Sequence, residues 1–205
     1  MAGEDDFHRE QPVFPTDGAA SLWTLNWRRI LAMVLGILLA LLFHLYLHPW
    51  PSTNMAAGLI TWHPEVAIVL FCGIVFGPLV GLTVGGASSL LGDIISYHTS
   101  FWNWELGYAL IGFLAGFSVL LTARRSSLLQ KILLIELASL IAVVVGLGCA
   151  AYSDRWIVGI DPSAVAGELL FAGTSDLVNG LLFLLLFLAI YYGVRRVTLV
   201  PKAVL

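Results

Sequence analysis

Along the chain, long apolar blocks alternate with short polar breaks, many of them marked by Pro or Gly. The first block runs from Trp27 to Leu47 and stops just ahead of Pro49 and Pro51. A bilayer core of about 30 Å takes roughly 20 helical residues, so this block predicts a spanning helix. The second begins near Pro64 and ends near Phe76. That is short for a full crossing and predicts a helix that is tilted, extended into the preceding segment or partly re-entrant. Gly77-Pro78 breaks the chain, and Pro78 suits the first turn of a third helix running to about Tyr97. A fourth is predicted over about Trp104 to Ala123 and a fifth over about Leu128 to Tyr152. The stretch Ser153 to Ser175 is mixed, with Asp154, Arg155, Asp161, Pro162 and Glu168, and Ala164 to Phe171 predicts a short surface helix. One helix from Ala164 to Val194 would be about 46 Å long at 1.5 Å per residue, more than a bilayer core. The pattern is therefore divided at Gly173-Thr174, with Ser175 capping a sixth helix that ends near Val194.

Composition supports the membrane reading. Of 205 residues, 59% are hydrophobic and 11% charged, whereas soluble domains carry roughly 25% charge. The expected fold is an all-α integral membrane protein: a bundle of six transmembrane helices over residues 27–198, with a polar, acidic tail at 1–26 and a short tail at 199–205. Residues 1–26 lack the basic start and apolar core of a signal peptide. Basic residues favour the cytoplasmic side. With the N-terminus inside, Arg9, Arg28, Arg29, Arg124, Arg125, Lys131, Arg195, Arg196 and Lys202 are all cytoplasmic, nine of the ten Lys and Arg. Arg155 alone lies outside, so both termini are expected inside. The net charge of −3 is too small to imply a nucleic-acid partner. Cys72 and Cys149 sit in apolar runs and read as inert thiols.

Small residues recur every fourth position. Ala32, Gly36 and Ala40 form such a stripe on the first helix, Gly77, Gly81 and Gly85 on the third, and Gly112 and Gly116 on the fourth. Such stripes let helix backbones approach closely. The third and fourth helices are expected to use theirs inside the bundle, whereas the first could offer its stripe to another subunit.

Several chemistries have no motif here. Neither Lys131 nor Lys202 follows a glycine, so no phosphate-binding G-x-x-x-x-G-K-[ST] loop is present. Neither H-E-x-x-H nor G-x-S-x-G occurs, and Ser88, Ser89 and Asp93 make no recognisable nucleophile site. His44 and His48 have a metal-compatible spacing but read more simply as interfacial anchors. No enzyme activity, metal or cofactor is expected. Polar groups within spans are costly and usually face a cavity or a partner. Asp176 and Asn179 share a face with Gly180 and Phe183 on the sixth helix, and Trp104 and Tyr108 share one on the fourth. Asn103 and Glu105 sit at the mouth of that helix, and Asp93 is one turn from the end of the third. All lie towards the outer side, which also carries Trp50, Trp62, Trp102, Trp104 and Trp156. Together they suggest an outward pocket with aromatic walls and a few polar anchors.

The runs Phe76-Gly77-Pro78-Leu79-Val80-Gly81, Leu91-Gly92-Asp93-Ile94-Ile95-Ser96 and Trp102-Asn103-Trp104-Glu105-Leu106-Gly107-Tyr108 through Gly112 and Gly116 resemble S components of energy-coupling factor (ECF) transporters. The resemblance is good over about 64–122, and the six-helix layout extends it to roughly 28–196. It implies a high-affinity subunit that captures a vitamin or related nutrient at a prokaryotic plasma membrane. Its partners would be a transmembrane coupling protein and two cytoplasmic ATPases. In the family the first helix often carries an Ala-x3-Ala stripe against the coupling protein, matched here by Ala32, Gly36 and Ala40, with Gly36 departing from that pattern. The family's substrate residues come mainly from the loop between the first two helices and from the outer halves of helices four to six. The implied contacts are Trp50, Asn54 and Trp62 in the loop, with Asp93, Asn103, Trp104, Glu105, Tyr108, Tyr152, Asp176 and Asn179. Thiamine-like, pyridoxine-like and flavin-like ligands all suit such a lining. The metal-binding N-terminal arm of cobalt and nickel members is not matched by Met1-Ala2-Gly3. The alternatives are the ligand-sensing membrane module of a signalling system, a small membrane enzyme using His44, His48 and Asp93, and a scaffold.

Overall fold

The computed structural model describes residues 23–47, 62–123 and 127–199, the side chains of 195–199 excepted. Trp50 and Asn54 lie outside the described residues, as do 1–22 and 200–205 of the two expected tails. The described residues form seven helical segments and no strand: α1 (Trp27–Leu47), α2 (Glu65–Phe76), α3 (Pro78–Tyr97), α4 (Trp102–Ala115), α5 (Ser118–Thr122), α6 (Leu128–Ile157) and α7 (Pro162–Leu199). Only a two-residue turn at Gly116-Phe117 separates α4 from α5, and together they make one span. Five helical units are long and apolar enough to cross a membrane, namely α1, α3, α4 with α5, α6 and α7.

The sixth unit, α2, is the exception that organises the rest. It has 12 residues, nine of them buried: Glu65 to Leu70 and Cys72 to Ile74. A helix that is hydrophobic all round belongs in a core, and α2 touches α1, α3, α4 and α7. It is a central post, buried among the other helices rather than lying on the outside of the bundle. Gly77, at φ 106°, turns the chain directly into α3 with Pro78 in the first turn, as the Gly-Pro pair predicts. A left-handed φ of this kind strains any residue with a Cβ.

The glycine stripes of α3 and α4 pack inside the bundle. A Cβ built on Gly81 would fall 2.6 Å from the Gly112 carbonyl carbon and 2.7 Å from the Gly73 Cα. One on Gly112 would overlap the Gly81 carbonyl, and one on Gly116 would lie 2.5 Å from Pro78 Cα. Backbone therefore meets backbone where α2, α3 and α4 converge. A second close approach joins α4 to α6, where a Cβ on Gly107 would sit 2.9 Å from both the Ala150 Cβ and the Gly146 carbonyl oxygen.

The stripe on α1 also turns inward. Ala32, Gly36 and Ala40 are the buried residues of that helix, and a Cβ on Gly36 would press on Cys72 Sγ and Val84 Cγ2 at 2.9 Å. These small residues seat α1 against α2 and α3. The face of α1 left open is the leucine-rich one, including Leu31, Leu35, Leu38 and Leu42.

Two boundaries differ from the sequence expectation. α6 continues five residues past Tyr152, to Ile157, so that Asp154 lies within it. α7 is one continuous helix of 38 residues with no break at Gly173-Thr174. Length alone suggested the break, but no proline interrupts this stretch, and a helix is free to extend beyond the thickness it crosses. Gly173 instead marks the start of burial. Residues 162–172 are exposed or half-exposed, and the inward stripe begins at Gly173, Ser175 and Asp176 and continues through Asn179, Gly180, Leu184 and Leu188.

Filling the glycine seam has a clear expected cost. Gly81→Ala places a methyl group against backbone that cannot rotate away, and should destabilise the bundle by about 1–3 kcal/mol. Thermal unfolding in detergent checks it, with a visibly lower midpoint expected. Gly148→Ala, where a new Cβ meets nothing within 4 Å, should leave the midpoint unchanged or slightly raised.

Candidate functional site

At one end of the bundle, α1, α2, α3 and α4 surround a cavity of about 340 Å³. The spacing within each helix explains the lining, since side chains four apart share a face. α1 contributes Ala40 and His44, α2 Glu65 and Val69, and α4 Trp104 and Tyr108. α3 contributes Ser89, Asp93 and Tyr97 at successive four-residue steps, with Ser88 beside them. His63, just ahead of α2, and Phe101, just ahead of α4, complete the wall. The cavity is thus aromatic along Tyr97, Phe101, Trp104 and Tyr108, and polar along His44, His63, Glu65 and Asp93.

Two buried carboxylates behind this lining hold it in shape. Asp154 of α6 receives a hydrogen bond on each oxygen: Asn103 Nδ2 donates to Oδ1 at 2.8 Å and Trp104 Nε1 to Oδ2 at 2.7 Å. Asn103 Nδ2 also lies within hydrogen-bond distance of the Ala150 carbonyl and Ser153 Oγ, at 3.2 and 3.1 Å. The clamp ties the start of α4 to the end of α6 and sets the plane of the Trp104 indole. Asp176 of α7 does the equivalent for Tyr108, whose hydroxyl donates to Oδ2 at 2.9 Å. The other oxygen of Asp176 is 3.8 Å from His63 Nδ1. His63 Nδ1 is in turn 3.3 Å from Glu65 Oε1, which is 3.7 Å from His44 Nδ1. One polar chain, Tyr108–Asp176–His63–Glu65–His44, therefore links four helices around the cavity.

His63 lies ahead of the spans. Burial works against its charged form, but its hydrogen bond to Glu65 and the negative charges of Asp176 and Glu65 outweigh that and hold its pKa above the ordinary 6.5. A group whose pKa is raised by folding binds its proton more tightly in the native state, so its stabilisation is present at low pH and fades as pH rises.

The predicted contacts among the described residues fall at different depths. Asp93, Trp104 and Tyr108 line the cavity. Asn103 and Asp176 are buried one layer behind, where they hold lining residues in place. Glu105 is also buried outside the lining, and its Oε1 has no hydrogen-bond partner among the described residues. Asn179 is buried on α7 and donates to the Ser175 carbonyl of its own helix at 2.8 Å. Trp62 and Tyr152 are exposed and outside the lining; the Trp62 ring is 6.1 Å from that of Phe183. Sequence reasoning missed Glu65. It is the only charged residue between His48 and Gly92, which was the available signal, but an acid in a first helical turn reads ordinarily as a favourable dipole partner. It read His44 as an interfacial anchor, and it left His63, Tyr97 and Phe101 out of the candidate contacts. Among the described residues no group of three or more His, Cys, Asp or Glu is placed to hold a metal ion.

Residues 27–193 match the family described as ECF-type riboflavin transporter, S component. The chain belongs to this family. Three similar proteins, each called a UPF0397 protein, come from Streptococcus agalactiae, onion yellows phytoplasma and Lactobacillus gasseri. The first is 28% identical over 136 residues, 65% of this chain and 69% of that protein. The second is 43% identical over 52 residues, 25% of this chain and 28% of that protein. The third is 38% identical over 66 residues, 32% of each. An S component is a membrane subunit of a transporter, and the five long apolar helices agree with a multi-pass membrane protein.

Two outcomes follow for this S component. Asp154→Ala leaves the Trp104 indole N–H without its acceptor, whereas Asn103 keeps two others. A loss of about 1–3 kcal/mol is expected, read as a lower unfolding midpoint. The His63 contribution should be complete below about pH 6.5 and decline as pH rises through its higher native pKa. Midpoints measured from pH 6 to 9 should fall with pH, and more shallowly in His63→Gln.

Proposed function

We propose that this chain is the substrate-capture subunit of an ECF-type importer for a vitamin or related small nutrient. It would work with a transmembrane coupling protein and two cytoplasmic ATPases in a prokaryotic plasma membrane. The observation that carries this reading is the cavity itself. Its volume of about 340 Å³ falls in the range of small-molecule sites, and it combines aromatic walls with a few convergent polar groups, the usual composition of such sites. The family description names riboflavin, and the aromatic lining suits a flat ring system of that kind.

Charge distribution supports an outward-facing site. His44 is near the end of α1, Glu65 at the start of α2, Asp93 near the end of α3 and Trp104 near the start of α4, so the cavity occupies one end of the bundle. Arg28 and Arg29 begin α1 at the opposite end. Under the positive-inside rule that end is cytoplasmic, both termini are inside, and the cavity faces outward.

The test is to purify the chain alone in mild detergent, denature it, and identify released small molecules by mass spectrometry. A vitamin-like compound in stoichiometric amount is the expected result. A preparation that carries no small molecule and binds none from a vitamin panel would count against capture.

A further inference from the structure

The cavity's charge goes beyond what a neutral vitamin requires. Two carboxylates line it, Glu65 on α2 and Asp93 on α3, and two imidazoles oppose them, His44 on α1 and His63. Asp176 of α7 stands directly behind, in contact with both Tyr108 and His63. Glu105 of α4 is buried outside the lining, and its Oε1 lacks a hydrogen-bond donor among the described residues. No Lys or Arg is among the described lining residues. With every carboxylate ionised and both imidazoles charged, the lining itself is balanced, and Asp176 and Glu105 behind it add a formal excess of two negative charges. Buried charge without compensation is costly, and intramembrane carboxylates ordinarily face a partner of opposite sign. Trp104, Tyr108, Tyr97 and Phe101 provide ring faces against which a cation is favourably placed.

We propose that the ligand of this cavity is a flat heteroaromatic cation, either permanently charged or protonated on a ring or amine nitrogen, stacked on the aromatic wall with its positive charge between Glu65 and Asp93. The inference rests on the capture reading and narrows it. A neutral flavin leaves the excess negative charge unanswered, and a phosphorylated vitamin adds to it. The site therefore selects the cation over both.

The test uses the purified full chain in detergent, freed of any bound ligand, and titrates it calorimetrically with thiamine, protonated pyridoxamine, riboflavin and thiamine monophosphate. At least one of the two unphosphorylated cations is expected to bind, more tightly than riboflavin and more tightly than the phosphate ester. Asp93→Asn removes one negative charge with little change of shape and should weaken that cation roughly tenfold or more. A thermal unfolding scan of the variant separates this from misfolding, and the probe series on the unsubstituted chain stands without the variant. Riboflavin binding more tightly than both cations overturns the proposal while leaving capture intact. So does cation binding that Asp93→Asn, properly folded, does not weaken. Failure of all four probes also overturns it; capture then stands only if the material as first purified carried a small molecule.

Discussion

Where α2, α3 and α4 converge, the chain has given up side chains altogether. Gly73, Gly81, Gly112 and Gly116 bring backbone against backbone, and the positions of all three helices follow from that contact. Without a strong hydrophobic force between helices in lipid, association rests on packing and on interhelical hydrogen bonds. The seam supplies the packing. It places Asp93 of α3, Trp104 and Tyr108 of α4 and Glu65 at the head of α2 around one space. A second approach, Gly107 on Gly146, carries α6 close enough for Asp154 to reach both Asn103 and Trp104. The cavity is thus a product of glycine placement, and its polar groups sit on the flanks of the same helices whose glycines meet.

The division of labour among the acids is informative. Asp154 and Asp176 each accept a hydrogen bond from a lining aromatic, so their role is to orient Trp104 and Tyr108. Glu65 and Asp93 are themselves in the wall. Carboxylates of one chemical type thus hold the frame in one layer and meet the contents in the next. In the sequence nothing marks which of the four will line the cavity and which will stand behind it.

Much of the architecture was legible because its signals are local. The Gly77-Pro78 corner, the ends of α1 and α3 and the inward glycines of α3 and α4 follow from breaker residues and from four-residue spacing. Three features were not local. The stripe Ala32-Gly36-Ala40 has the same spacing whatever it meets, and its contact with Cys72 and Val84 is visible only once the helices are assembled. The length of α7 could not be read from bilayer thickness, because residues 162–172 extend beyond the packed part of the bundle. Glu65 was hidden because its pairing with His44 and His63 joins the end of α1, the approach to α2 and α2 itself. Of the pocket, spacing alone found the Trp104–Tyr108 face and Asp93; the histidine–carboxylate side required the helices to be assembled.

The central position of α2 carries one more implication. Hydrophobic mismatch acts on helices that touch lipid, which tilt or stretch the bilayer to match its thickness. α2 is enclosed by α1, α3, α4 and α7, so its length is not answerable to the membrane. Twelve residues suffice, and Glu65 can sit at whatever depth the surrounding helices set. Membranes of different thickness would act first on the tilt of the outer helices and would reach Glu65 only through them.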